Sequence, residues 1–441
     1  MVKKKVIPIV LPEGVFDIVP EEQRYWHTVF RKVNGLLADY SFTRIDFSPV
    51  EAADLFVRSH GSGDDQVDKR LVSANKTKDG FSLTLRYQLT PSFMRAYLQY
   101  GMHALPQPVK MFATTQIMYQ EEGTHSAVVL GVQTIGDDSE AVDAELIFLG
   151  SRILEALNLG PFHVRMNTIG DAQSRQQYAR VLREYYRGRN KKMCARCRGL
   201  TRDSILMALE CTQQECRDIN KEAPQILDYL SDEAKSHFRR LLEFLDEGDV
   251  PYVIDPHLVR HEDYAAMTVF EFTLGAVPGD RDPATSEEAA RPAPAVIRGG
   301  RFGRLSELLG GGRNGASAAG WEMDLSEVVS RIKAKGTNVP ELGGRPKVFL
   351  SQLGEAAKRK TLMLFEDIRK AGIDVRYSLS RDTIKGQLRM AERLGVRYAL
   401  IFGQKEALEG TVILREMETG IQETIPQEKI IDTLKKRLKS K

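Results

Sequence analysis

Val109-Lys-Met-Phe-Ala113 and Val128-Val-Leu-Gly-Val-Gln-Thr-Ile135 are the two stretches that decide the fold. Both are rich in β-branched and apolar residues, and no helical pattern separates them. Thr43–Phe47 and Ser82–Arg86 read as further strands before them, and Tyr252–Ile254 and Thr268–Phe272 resume the pattern later. Strands in pairs with few helices between them imply an antiparallel sheet, not a doubly wound one. The helices that do occur are well marked. Pro20-Glu-Glu opens one with proline in its first turn and acids at the positive end of the dipole, and Trp26, Phe30, Val33 and Leu37 give it one buried face.

Away from this core the pattern changes twice. Residues 172–247 are mostly charged helix and hold all four cysteines of the chain, Cys194-x-x-Cys197 and Cys211-x₄-Cys216. From Pro346 onward strands and helices alternate. Val348–Leu350 leads to a helix with Ala357, Leu364, Phe365 and Ile368 on one face, stopped at Gly372. Asp374–Tyr377 leads to a helix through Ile384, Leu388 and Ala391, stopped at Gly395; Arg397–Phe402 and a hairpin around Glu418-Thr-Gly420 follow, then a basic helix. That order predicts a compact α/β domain with a mostly parallel sheet. Residues 276–320, rich in Gly, Pro, Ala and Arg, read as long, partly mobile loops.

The whole is α+β, expected to divide at residues 1–171, 172–247, 248–345 and 346–441. At 441 residues, 42% hydrophobic and 28% charged, the chain can bury more than one core. No apolar run is long enough to span a bilayer, and the start reads as a strand and not a signal peptide, so the expected compartment is the cytoplasm. A net charge of +3 neither demands nor excludes nucleic acid, but the basic clusters at Arg187–Arg202 and Lys435–Lys441 could meet phosphates or be solvated faces. Gly310-Gly-Gly-Arg-Asn-Gly315 lacks the Gly-Lys-Ser/Thr of a P-loop. The two cysteine pairs resemble a Cys₄ zinc knuckle, with a structural zinc held by Cys194, Cys197, Cys211 and Cys216.

Several local runs, in order, resemble histidyl-tRNA synthetases, a class II family. Leu11-Pro-Glu-Gly-Val-Phe-Asp17 resembles the entry segment, and Arg44-Ile-Asp-Phe-Ser-Pro49 resembles motif 1, whose proline lies at a dimer interface. Leu83-Thr-Leu-Arg86 with Thr90, Val142-Asp-Ala-Glu-Leu-Ile147, His257-Leu-Val-Arg260 with Asp263 and Tyr264, and Gly299-Gly-Arg-Phe302 resemble later family runs. The resemblance implies a class II antiparallel-sheet core with a helical insertion near the tRNA acceptor arm, and a C-terminal anticodon-binding domain. It also implies a homodimer with tRNA, or a tRNA-like RNA, as partner, and neither DNA nor membrane.

The resemblance also locates a substrate pocket, and there the chain departs from the family. The reaction joins histidine to ATP with magnesium, then passes the histidyl group to tRNA; its arginines hold phosphates and stabilise charge on the α-phosphate. Motif 2 should read Phe-Arg-x-Glu-Arg; here Met118-Tyr-Gln-Glu-Glu122 puts Tyr119 at the arginine position and keeps only Glu121. The loop Glu122–Val129 is shorter than the family's. Glu327 stands at the second ATP arginine, Gln88 and Gln133 replace two pocket glutamates, and Ala265 replaces a tyrosine. Arg86, Thr90, Asp263, Tyr264 and Arg301 complete the pocket remnant, with Arg260 as the catalytic arginine of an active enzyme. Arg298, Arg301, Arg304 and Arg313 lie close enough in sequence to replace the lost arginines. Lys385 and Gln387 are the expected RNA contacts. Three readings stand at this point. One is a non-catalytic tRNA-binding paralog, one a divergent but active histidine–tRNA ligase, and one a regulatory subunit like that of ATP phosphoribosyltransferase.

Overall fold

The computed structural model describes residues 9–60, 67–76, 80, 82–200, 205–260, 264–275, 295–312, 316–340, 346–379 and 383–439. The chain forms two compact units, Met1–Thr337 and Asn338–Lys441.

The first unit is built on an eight-stranded sheet. Its strands run in the order Thr43–Arg44, Val109–Gln120, Thr124–Ile135, Ala318–Asp324, Ala295–Arg301, Ala266–Leu274, Phe162–Thr168 and Tyr252–Ile254. The two end pairings are parallel and the inner ones antiparallel. The expected antiparallel core is present. Its longest ladder runs unbroken from Val109 paired with Ile135 to Gln120 paired with Thr124. Glu121-Glu122-Gly123 is therefore the whole turn, with Glu122 at φ 50° and Gly123 at φ 150°. That corrects the loop expected at Glu122–Val129: its residues from Thr124 onward continue the strand, because each of them pairs across the ladder right up to the turn.

A second correction concerns residues 276–320. Two inner strands of the sheet, Ala295–Arg301 and Ala318–Asp324, arise from this segment; residues 276–294 and 313–315 lie outside the described ones. Composition suggested loops because Gly299, Gly300 and Gly320 interrupt the apolar pattern. Their reason is close approach. A Cβ on Gly299 would lie 2.5 Å from the Phe270 ring and 2.6 Å from the Trp321 Cβ, and one on Gly300 would lie 2.6 Å from the Thr268 carbonyl. Neighbouring strands and rings fill the space that side chains would need.

Period two divides this sheet into faces. Leu130, Val132, Phe270, Phe272, Ile297, Trp321 and Met323 are all buried on one of them, and Trp321 donates from Nε1 to the Leu146 carbonyl of helix Glu140–Ala156 at 2.9 Å. Helix Gln23–Asp39 buries Trp26, Val29, Val33 and Leu37, four residues at helical spacing. The opposite face carries Tyr119, His125, Gly131, Gln133, Glu322, Asp324, Arg298 and Glu271, and helix Thr90–Gln99 lies over it. At Gly131 a Cβ would be 2.9 Å from both Leu89 and Phe93 of that helix start.

The second unit has a five-stranded sheet, ordered Val375–Tyr377, Val348–Gln352, Tyr398–Phe402, Thr411–Glu416 and Gln422–Pro426. The first three strands are parallel and the last two add an antiparallel hairpin, so the sheet is mixed where a mostly parallel one was expected. Helix Ile384–Arg393 turns Gln387 and Ala391 inward, and Ile384 and Leu388 are only half-buried.

Candidate functional site

Thr90 begins a helix where the resemblance places the substrate pocket, and its backbone N–H and hydroxyl both need acceptors because a helix start leaves its first N–H groups unpaired. The acceptor is Glu322. One carboxylate oxygen receives the N–H of Leu89 at 2.9 Å, the N–H of Thr90 at 2.8 Å and the Thr90 hydroxyl at 2.9 Å. Gln133 donates to the same hydroxyl at 3.2 Å, and Gln88 donates to the Tyr264 hydroxyl at 3.4 Å. Tyr264 is buried and closes that end against Phe302 and His60 in edge-on contacts. The structure thus brings Gln88, Thr90, Gln133 and Tyr264 together. Glu322 joins them, a residue that the sequence reading passed over.

Arg260 supplies the countercharge. It donates to the Gly299 carbonyl at 3.4 Å, and its field pulls the Glu322 carboxyl down. Burial pushes the other way and dominates, holding Glu322 above the ordinary glutamate range despite the Thr90 and Leu89 donors. A carboxyl raised in this way contributes stability that is fully present below its unfolded pKa and is lost as pH rises through its folded value. Glu322→Gln keeps an acceptor without the charge. Its stability relative to the parent, measured by denaturant unfolding, is expected to be most favourable at neutral pH, and the gap should shrink as pH falls toward the carboxylate range. A gap independent of pH would mean that Glu322 is not charged against burial.

Charges continue across this face in one register row. Glu322 lies opposite Arg298, Arg298 opposite Glu271, and Glu271 opposite Arg165. Arg298 bonds Glu271 at 3.1 Å; Arg165 bonds Glu271 at 3.2 Å and Asp255 at 2.6 Å. Arg298 is therefore committed within a ladder of alternating sign.

Of the arginines expected as stand-ins for phosphate binders, Arg301 is committed within the protein, whereas Arg304 makes one long contact at the surface. Arg301 is buried and paired with Asp143 at 3.0 Å, and it also donates to the Asp137 and Ser139 carbonyls and to Ser317. Arg304 faces Glu307 at 3.9 Å, and Arg313 lies outside the described residues. Arg86 is buried, bonding the Ser48 carbonyl at 2.6 Å and Thr115 at 3.0 Å. Arg86 and Arg301 were expected as pocket residues; both instead tie elements together.

Where motif 2 would offer an arginine, Tyr119 stacks on His125 with ring centroids 5.5 Å apart. Burial raises the Tyr119 hydroxyl, Asp324 and Glu121 raise it further, and Arg298 opposes them. Glu121 sits exposed at the hairpin turn, its carbonyl accepting from His125 Nε2 at 2.8 Å. Asp324 caps helix Leu325–Ala334 through the N–H groups of Ser326 and Glu327, and Glu327 pairs with Arg331 at 2.7 Å. This end of the pocket is acidic. Asp263, expected beside Tyr264, lies outside the described residues, as do His261 and Glu262.

The four cysteines converge. All four sulfur atoms lie within 4.8 Å of one another, and Cys194 and Cys211 are 3.7 Å apart. Four thiolates around one tetrahedral zinc, at about 2.3 Å each, would stand roughly 3.8 Å apart, so the donor set fits. Backbone N–H groups already point at sulfur: Cys197 to Cys194 at 3.4 Å and Cys194 to Cys216 at 3.3 Å. The Cys197 N–H draws the Cys194 thiol down to about 7, whereas burial lifts Cys216 to about 11 and Cys197 further still. A bound cation would reverse that penalty.

In the second unit Lys385 is exposed at the start of its helix. Gln387 is not a surface contact. Its amide accepts from the Gln352 N–H at 2.9 Å and donates to the Gln352 carbonyl at 2.8 Å, fully buried. This corrects its expected RNA role: the side chain is fully buried against an inner strand, out of reach of a base.

Comparison with known proteins agrees with this geometry. Residues 14–328 match the family model described as histidyl-tRNA synthetase, and residues 347–437 match the one described as anticodon binding domain. A histidine–tRNA ligase of Dehalococcoides mccartyi is 33% identical over 97% of this chain and 99% of its own length. One from Caldicellulosiruptor saccharolyticus is 30% identical over the same shares. The crystal structure of apo histidyl-tRNA synthetase from S. aureus aligns with a TM-score of 0.76 at 25% identity, over 97% of this chain and 100% of that one. An ATP phosphoribosyltransferase regulatory subunit/histidyl-tRNA synthetase from Bacillus halodurans shares the fold, at 18% identity and a TM-score of 0.61 over 91% of this chain and 100% of that one. With a synthetase core and an anticodon-binding domain following one another along nearly its whole length, the chain belongs to the histidyl-tRNA synthetase family.

Proposed function

We propose that this protein binds tRNA, or an RNA shaped like it, and does not activate histidine. The observation that carries this reading is Glu322, a carboxylate placed on the pocket floor where it takes the donors of Leu89 and Thr90 and faces Arg260. A substrate carboxylate or an α-phosphate would meet that charge at short range. The tight turn at Glu121–Gly123, the Tyr119–His125 stack and the acids Asp324 and Glu327 argue in the same direction. A divergent active ligase is the second reading. Identity of 33% to a histidine–tRNA ligase favours it, as do Thr90 and Tyr264 in the pocket; Arg260 would then be catalytic, with ATP and magnesium.

The same reading includes a homodimer through the segment carrying Pro49, a zinc ion structural at Cys194, Cys197, Cys211 and Cys216, and a cytoplasmic setting. No helix among the described residues is long and apolar enough to cross a membrane. The four-part division of the chain, with 172–247 as an insertion, belongs to it too. RNA contact would run through the C-terminal unit, where Lys385 is the exposed cation at its helix start. Fluorescence anisotropy of labelled tRNA transcripts with the full-length chain tests it. Binding that weakens steeply with salt is expected, and Lys385→Glu should weaken it by about tenfold, the size of one lost and one repelled phosphate contact. A chain that binds no tRNA would remove this function.

A further inference from the structure

The cysteine cluster and the pocket share a wall. Glu210, immediately before Cys211, uses its exposed carboxylate to accept the backbone N–H of Val259 at 3.3 Å. Asn220 ends the short helix Gln214–Asn220 that carries Cys216, and its carbonyl accepts from His257 Nε2 at 3.0 Å. The Asn220 side chain returns to the carbonyls of Ala208 and Leu209, at 2.6 and 3.1 Å, just ahead of Cys211, and accepts the Tyr186 hydroxyl at 2.8 Å. Leu258 and Val259 are buried in one apolar core with Cys197, Cys211 and Cys216. Every residue from His257 to Val259 is thus held, by side chain, backbone or packing, from the cysteine-bearing segment. The next residue is Arg260.

We propose that metal binding by the four cysteines sets the position of Arg260, and that Glu210 is the positioning residue which transmits it. The inference rests on the metal reading given under the proposed function. Its physical basis is length. Cys197 and Cys216 lie in Ala195–Arg198 and Gln214–Asn220, Cys194 caps the first of these, and Cys211 follows Ile205–Ala208, all pieces of one or two turns. Helices so short do not persist alone, so ligation supplies the free energy that closes them. Without it, Glu210 and Asn220 lose their fixed places, so Val259 loses the acceptor of its N–H and His257 is left with Asp255 as its partner. Arg260 would then no longer be held opposite Glu322, and the charge balance of the pocket floor would change with metal occupancy.

Hydrogen exchange followed by mass spectrometry on the full-length chain, paired with elemental analysis of bound metal, tests this. About one equivalent of metal is expected, and its removal by chelation should speed exchange at Leu258–Arg260 by about tenfold or more, the opening of one charge-assisted hydrogen bond. Adding zinc alone should restore the slow rate. Glu210→Ala should keep the metal and yet show the same faster exchange at Val259, whereas Glu210→Gln, which retains an acceptor oxygen, should restore protection. Metal loss that leaves Leu258–Arg260 unchanged, or a Glu210→Ala chain with Val259 still protected, would overturn the coupling while leaving the metal site standing. A chain that isolates without metal and takes up no zinc would remove the metal reading itself, and the coupling with it. If chelation also loosens helix Glu140–Ala156, the metal-loaded Glu210→Ala and Glu210→Gln pair decides alone.

Discussion

Histidine-dependent pyrophosphate–ATP exchange by the purified chain is expected to fall at least about 10⁴-fold below that of an intact histidyl enzyme assayed beside it. One preorganised donor aimed at transition-state charge is worth roughly 10²–10³ in rate. On the reading proposed above Tyr119 and Glu327 stand at two such positions, one engaged in a ring stack and the other in an ion pair with Arg331. Such losses do not multiply simply, so 10⁴ is a floor from two donors and not their product. Among the described residues, three arginines near the site are already paired within the protein. Arg298 and Arg301 are bound to Glu271 and Asp143, and Arg86 to Ser48 and Thr115. Restoring one position should therefore fail: Tyr119→Arg would set a guanidinium beside Asp324 with Glu322 still on the floor. Tyr119→Arg with Glu322→Ala is the informative pair. Exchange by the parent chain within about a hundredfold of the control would sink the non-catalytic reading and make Arg260 the catalytic residue of a divergent ligase.

How much of this was legible in the sequence follows from what each signal depends on. Long β-branched, apolar runs and helices with four apolar positions on one face are local patterns, so the sheet core and helix Gln23–Asp39 could be read directly. Cys194, Cys197, Cys211 and Cys216 could be paired on spacing, since only residue type and separation were needed. Strands Ala295–Arg301 and Ala318–Asp324 could not. Gly299, Gly300 and Gly320 are there for partners distant in sequence, and no local pattern reports a ring pressed against a missing side chain. Glu322 was missed for a related reason. A signal existed, because Trp321 and Met323 flank it at strand period and so turn it, with Asp324, onto the other face. What that face looks toward, the Leu89–Thr90 helix start, is set only by folding. Arg86, Arg301 and Gln387 erred the opposite way: a polar residue in a family run reads as a ligand contact, and only the structure shows its bonds already spent within the protein.

Asp143→Ala should cost the first unit about 3–5 kcal/mol, the range for removing one partner of a buried ion pair. The residue is fully buried on helix Glu140–Ala156, within the run Val142-Asp-Ala-Glu. Its carboxylate pairs with Arg301 at 3.0 Å and accepts from His237 Nε2 at 2.7 Å and from the Thr268 hydroxyl at 2.8 Å. Two strands and two helices meet at one carboxylate, and its loss leaves a guanidinium buried without its counterion. Both tryptophans, Trp26 and Trp321, lie in the first unit, so their fluorescence during urea unfolding reports that unit without the second. Asp143→Leu combined with Arg301→Met should recover most of the loss, because an apolar pair of similar volume has no charge to desolvate. The pH dependence has the opposite sign to that of Glu322. Burial lifts the Asp143 carboxyl, but Arg301 and His237 outweigh it and hold it below the ordinary aspartate range. Its contribution is therefore present above the unfolded pKa and lost as pH falls through the lower folded value. An Ala variant within about 1 kcal/mol of the parent would show that water or His237 can serve Arg301 instead.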